Sequence, residues 1–204
     1  MARVFYALWL SGALLALTAC TVFKPVANVP AHTYLLMPAR LDIPAAKPGK
    51  LTLAVGHPHA IQAYNTKRMA YVKKPYEIAY FSENHWADTP ADMLQPLMVE
   101  ALQKTGRFRA VTAAPSIGQE NLLLSMQLLR LQQVFLQSPS EVQLTLRAQL
   151  INAATRKIIA TKLFTITQPA QQDTPYGGVV AANQAVAKLL KQLADFCVGA
   201  TRHQ

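Results

Sequence analysis

Between Glu141 and Ile151 the apolar residues Val142, Leu144, Leu146, Ala148 and Leu150 alternate with Gln143, Thr145, Arg147 and Gln149. A period of two places the two sets on opposite faces of a β-strand, which predicts one buried face and one wet face. Leu122, Leu124, Met126 and Leu128 alternate in the same way within 121–137, until the pattern slips around Arg130 as it would at a bulge. In 157–167, Phe164 and Ile166 are the expected inward pair. Ser138-Pro139-Ser140 and residues 152–156 are short connections, so the three runs predict an antiparallel meander.

A sheet that is apolar on one face must be covered on that face. Two helical patterns are available to do so. In the first, Thr89 is the expected N-cap and Pro90 the first helical residue, followed by Met93, Leu94, Leu97, Met98, Ala101 and Leu102 on one face. Pro96 either kinks this helix or marks its start, and Gly106 is its stop signal. The second runs from about Val179 to Gly199, preceded by Tyr176-Gly177-Gly178, with Val179, Ala182, Val186, Leu189, Leu190, Leu193 and Phe196 inward.

Further strands are expected at 32–37, at 50–56 with Leu51, Leu53 and Val55 on a half-buried strand's inner face, and at 108–111. Arg68–Val72 and Glu77–Phe81 flank Lys73-Lys74-Pro75-Tyr76 as a hairpin or broken meander. The predicted class is α+β, a mostly antiparallel sheet of about five to seven strands with two main amphipathic helices packed on it. The 204 residues suit a single domain at 50–200, and 51% apolar content excludes a wholly disordered chain. Two cysteines are too few for a disulfide-stapled mini-fold or a four-thiolate zinc module.

The N-terminus is an address. Arg3 precedes an uncharged stretch from Val4 to Phe23, the form of a secretory signal peptide over 1–19. On length alone a retained anchor is the alternative, since about 20 residues span a bilayer. Leu17-Thr18-Ala19-Cys20 decides between them, because small residues ahead of a cysteine form a bacterial lipobox. The Cys20 thiol would take a diacylglycerol thioether and become the first, acylated residue, with palmitate among its chains. Thr21, where an aspartate would retain the protein in the inner membrane, points to an outer membrane facing the periplasm. Residues 20–49, with prolines at 25, 30, 38, 44 and 48, then read as a lipidated N-terminus and tether.

Cleavage removes one cation, Arg3, from a chain with a formal charge of +10, leaving 185 residues at +9. Outside the cytoplasm that charge does not imply nucleic acid. Its one local concentration is Lys67, Arg68, Lys73 and Lys74, with Trp86 nearby in sequence; together they are the candidate partner or membrane contact. The other reading of these residues is a solvated rim. Cys197, left without an intramolecular partner, is expected to be a buried thiol on the last helix.

No phosphate-binding glycine loop, nucleophile elbow or His-Glu-x-x-His motif is present. His57-x-His59 offers two imidazoles but no third ligand nearby in sequence, and exposed loop histidines are the simpler reading. Tyr71, Tyr76 and Tyr80 with Trp86 read as aromatic core or interaction surface before a cofactor platform. No catalytic, cofactor-binding or metal residue is assigned, and the chain is not expected to be an enzyme.

Several segments in order carry a resemblance: Cys20, Arg68-Met-Ala-Tyr71, Tyr80 beside Phe81, Trp86-Ala-Asp-Thr-Pro90, Gly106-Arg-Phe-Arg-Ala-Val111 and Val179-Val-Ala-Ala-Asn-Gln-Ala185. Together they resemble the ABC-type transport auxiliary lipoproteins, which include paraquat-inducible protein C, over roughly Thr33 to Phe196. Val72 departs from the arginine common after the family's tyrosine. The resemblance implies a non-catalytic outer-membrane component of an intermembrane lipid transport system. It would dock a periplasm-spanning mammalian-cell-entry (MCE) protein, with an inner-membrane ABC transporter as indirect partner and a homo-oligomeric ring as a candidate assembly. A lipoprotein that plugs or chaperones a β-barrel is the alternative, and a lipoprotein enzyme the third.

Overall fold

The computed structural model describes residues 30–202 apart from 116, 117 and 119. Along the chain, β1 (His32–Tyr34), β2 (Thr52–Val55) and β3 (His59–Ala60) precede a hairpin of β4 (Arg68–Lys74) and β5 (Glu77–Trp86). Helix α1 (Pro90–Lys104), β6 (Ala110–Ala113), the long strands β7 (Leu122–Val134), β8 (Glu141–Asn152) and β9 (Ile158–Pro169), and helix α2 (Pro175–Ala200) follow.

The meander expected from the alternating runs is present. β8 lies antiparallel to β7, from Leu122 opposite Asn152 to Val134 opposite Glu141, and antiparallel to β9, with Leu146 opposite Phe164. The β7 register shifts between Leu128 and Arg130, where the hydrophobic pattern slips. Phe164 and Ile166 are both buried.

The other edge of β7 departs from expectation. Three short strands line it in succession, all parallel to it: β2 at Leu53–Leu122, β3 at His59–Gln127 and β4 at Ala70–Gln132. β6 joins β2, and β5 and then β1 extend from β4, giving a mixed sheet of nine strands among the described residues. The expected five to seven mostly antiparallel strands therefore undercount and misorient this half. Alternation reports that a segment is extended, but the direction of a non-adjacent partner leaves no local trace. β2 shows the consequence: all four of its residues are buried, Thr52 and Ala54 included. A parallel strand between two neighbours is covered on both faces.

The prolines also mislead about where the domain begins. From Ala31 onward the chain belongs to one compact unit, so the segment read as a tether up to 49 is structural from 31. β1 pairs parallel with β5, Leu36 is buried, and the Asn183 side chain clamps the strap by accepting from Met37 N at 2.6 Å and donating to Leu35 O at 3.1 Å. Farther on, Ala46 N donates to Thr105 O and Gly49 N to Arg107 O.

The C-terminal helix lies on β8 and β9, over the face that carries Leu146 and Phe164, and α1 lies beside it on β2, β3 and β6. Thr89 caps α1, its hydroxyl accepting from Asp92 N and donating to the Asp92 carboxylate. The helix starts at Pro90 and runs on through Pro96. Gln95 ties it to the sheet by donating to Val55 O and Ala114 O. Gly106, with φ +62°, ends it in the left-handed region as expected.

α2 begins at Pro175, four residues before the expected start, with Thr174 accepting from Gly177 N at 3.0 Å. The two glycines therefore lie inside the first turn, where glycine is normally unfavourable. Close packing requires them here. A Cβ on Gly177 would overlap the Gln172 carbonyl oxygen, and one on Gly178 would overlap the buried Gln133 side chain. Gly177→Ala, which in an open helix would stabilise, is expected to cost about 1–3 kcal/mol here. A urea midpoint that rises in this variant would show that the Gln172 backbone yields freely.

Candidate docking surface

The basic residues adjacent in sequence do not form one patch. Lys67 and Arg68 stand at the start of β4, Lys73 and Lys74 at its end, about 20 Å apart at strand rise. Lys67 Nζ lies 3.3 Å from the Asp88 carboxylate and donates to Ala87 O, so it ties the hairpin to the entrance of α1. The Arg68 guanidinium stacks 4.0 Å from the centre of the Tyr80 ring. At the other end, Lys73 Nζ hovers 5.4 Å over Tyr71 and 5.6 Å over Phe135, and Lys74 is 3.8 Å from Glu77.

Trp86 is not a contact residue. It is 5% exposed, because β1 pairs alongside it through Tyr34. Its position beside three tyrosines in sequence gave no sign of the strap that covers it. Cys20 lies outside the described residues.

The two histidines diverge. His57 Nε2 lies 2.8 Å from the Asp92 carboxylate, whose pKa is held below the usual range first by the Thr89 hydroxyl and then by His57. His59 sits instead on β3, opposite Gln127. Among the described residues no three potential metal-binding side chains converge. Cys197 is a buried free thiol, as expected, and burial pushes its pKa up to about 12, so it is an inert packing residue.

The other face of the meander, turned away from Leu146 and Phe164, is largely exposed. Its central cross-strand rungs are Ser125–Gln149–Thr161, Gln127–Arg147–Leu163, Arg130–Thr145–Thr165 and Gln132–Gln143–Thr167, with Leu123–Ile151–Ile158 at one end and Val134–Glu141–Pro169 at the other. The twelve side chains of the central rungs thus comprise two arginines, one leucine and nine uncharged polar groups. The nearest carboxylate on these strands is Glu141, at the end of β8, where it accepts from Gln137 and Gln143. A shallow cleft of about 270 Å³ is lined by His59, Ser125, Gln127, Arg147 and Gln149. At the β4 side the face is closed by Tyr64, whose hydroxyl donates to Gln132 at 2.6 Å, and burial raises the Tyr64 pKa. The sequence shows this face as the polar half of each alternating run. What it did not show is that three such halves align and stay uncovered.

The comparisons bear on what kind of protein presents such a face. Residues 34–194 match the family described as the ABC-type transport auxiliary lipoprotein component. The chain belongs to this family. Among individual proteins, the uncharacterized protein bll6063 of Bradyrhizobium diazoefficiens is 23% identical over 155 residues, covering 76% of this chain but 41% of that protein. This chain therefore spans less than half of that relative's length.

Two solved structures share the fold of this auxiliary lipoprotein. Protein XCC0632 of Xanthomonas campestris, a DUF330 protein, superposes with a TM-score of 0.75 at 21% identity, covering 83% of this chain and 96% of that one. A second uncharacterized protein superposes with a TM-score of 0.67 at 14% identity, covering 83% and 99%.

Proposed function

We propose that this auxiliary lipoprotein is the non-catalytic outer-membrane end of an MCE/ABC-type intermembrane lipid transport system. Acylated Cys20 holds the domain on the periplasmic face, and the domain docks the periplasm-spanning MCE protein. The observation that carries this reading is the largely exposed meander face, an array of hydrogen-bonding side chains with Arg130 and Arg147 at its centre and a single carboxylate, Glu141, at its end. Such a surface suits a polar, acidic protein partner, because its arginines gain a bidentate acceptor and its amides find partners at small desolvation cost.

The test is in vivo photocrosslinking from Thr161 and Thr165 on this face and from Lys191 on the exposed side of α2. The expected result is capture of an MCE-domain protein from the two β9 positions and none from Lys191. Capture of an outer-membrane β-barrel protein instead would replace this reading with the barrel-assembly one.

A further inference from the structure

We propose that the β4–β5 hairpin tip is a second, non-covalent contact with the bilayer, in which Tyr76 enters the headgroup region and Lys73 and Lys74 meet anionic phosphates. The inference rests on the anchoring of Cys20 for its geometry and on three observations for its substance.

The first is Tyr76 itself. With β4 and β5 paired at Lys74–Glu77, the turn is only Pro75-Tyr76, and Tyr76 has φ +66°. That position of a tight turn favours Gly or Asn, because a Cβ is strained there. The chain instead places a large aromatic at this position and leaves it fully exposed to solvent. Strain kept without any packing return marks a residue whose contact lies outside the folded chain.

The second is what surrounds it. β4 and β7 are parallel and end together, with Val72 opposite Val134 and Phe135 N donating to Val72 O. The same end of the sheet therefore carries the exposed Ile78 and Leu136 as well as Tyr76. Behind them Tyr71, Phe81 and Phe135 form a cluster with centroids 4.5–6.4 Å apart, and Lys73 lies over two of its rings. Tyrosine at the tip, aliphatics behind it and exposed lysines, whose long stems can redirect their ammonium groups toward phosphate, are the composition of a membrane-interface contact.

The third is direction. β1 runs parallel to β5, with His32 opposite Asn84, so β1 starts at its end nearer the hairpin tip. The tip lies about 26 Å beyond Asn84 on that side. The 11 residue steps from Cys20 to Ala31 reach at most about 36–40 Å when extended. An anchor within that reach leaves the tip free to meet the bilayer that holds Cys20.

The experiment uses the mature acylated protein in vesicles of phosphatidylethanolamine and phosphatidylglycerol. Tyr76→Trp is the reporter, Ile78→Trp repeats it at a residue without positive φ, and Arg156→Trp in the β8–β9 turn is the opposite-end control. Trp86 contributes a constant buried background. The expected result is a blue-shifted emission at 76 and 78, quenched by lipids brominated near the headgroup and shielded from iodide, with residue 156 doing neither. Lys73→Glu with Lys74→Glu should weaken this contact by about five-fold or more for each lysine lost, read as lost quenching. Reporters at 76 and 78 that stay iodide-accessible on vesicles overturn the proposal, as does quenching indifferent to the two lysines. Intact mass separates the two claims: absence of acyl mass sinks the anchor reading, whereas acylated protein with unquenched reporters sinks the hairpin contact alone.

Discussion

Phe164→Ala is expected to destabilise the domain by about 3–5 kcal/mol, a large share of the roughly 5–15 kcal/mol that holds a typical domain folded. Phe164 is among the largest fully buried side chains, stands beside Leu146 of the neighbouring β8 and meets the Phe196 ring edge-on at 6.0 Å. Truncating it opens a cavity where α2 seats on the meander, and the backbone of two paired strands cannot collapse into the space. Its neighbour Leu163 supplies the control, because it points to the open face and is 55% exposed. Leu163→Ala should stay within about 0.5 kcal/mol. Denaturant unfolding of the two variants measures the difference. Equal losses would mean that the inward and outward faces of β9 are assigned wrongly.

Cys20→Ser is expected to abolish membrane attachment. A serine hydroxyl does not form the thioether to diacylglycerol, so the precursor should retain residues 1–19 and take up no labelled palmitate. The effect is all-or-none because anchoring strength accumulates along the acyl chains, at about 0.8 kcal/mol for each buried CH₂. The hairpin contact proposed above is too small to replace it, since one pair of lysines and a tyrosine give only weak, reversible association. Pulse labelling with fractionation reads the outcome. Normal processing and lipid labelling of the serine variant would refute the lipobox.

Legibility in the sequence followed the range of the signal. The strongest signals encoded within a dozen residues appeared as expected: the alternation of β7–β9, the slip at Arg130, the Thr89 cap, the Gly106 stop and the inward pair Phe164 and Ile166. The start of α2 was misplaced because the glycines at 177 and 178 read locally as helix breakers. Their reason is non-local, being the Gln172 carbonyl and the Gln133 side chain. The same limit separated Lys67 and Arg68 from Lys73 and Lys74, which are neighbours in sequence but stand at opposite ends of one strand. It also hid Trp86, which the strap at 32–34 covers from 50 residues away.

By itself, then, the sequence determined the fold class, the meander, both helices, the candidate acylation site and the family. These follow from periodicities and short motifs whose physics is complete within one element. Only the tertiary structure decided that β2, β3 and β4 run parallel along one edge of β7, and that residues 31–49 belong to the same compact unit as the rest of the domain. It alone decided which polar half-faces align into an open surface. A strand's alternation states that it has two faces, whereas the packing of distant segments determines which face is covered and which is left for a partner.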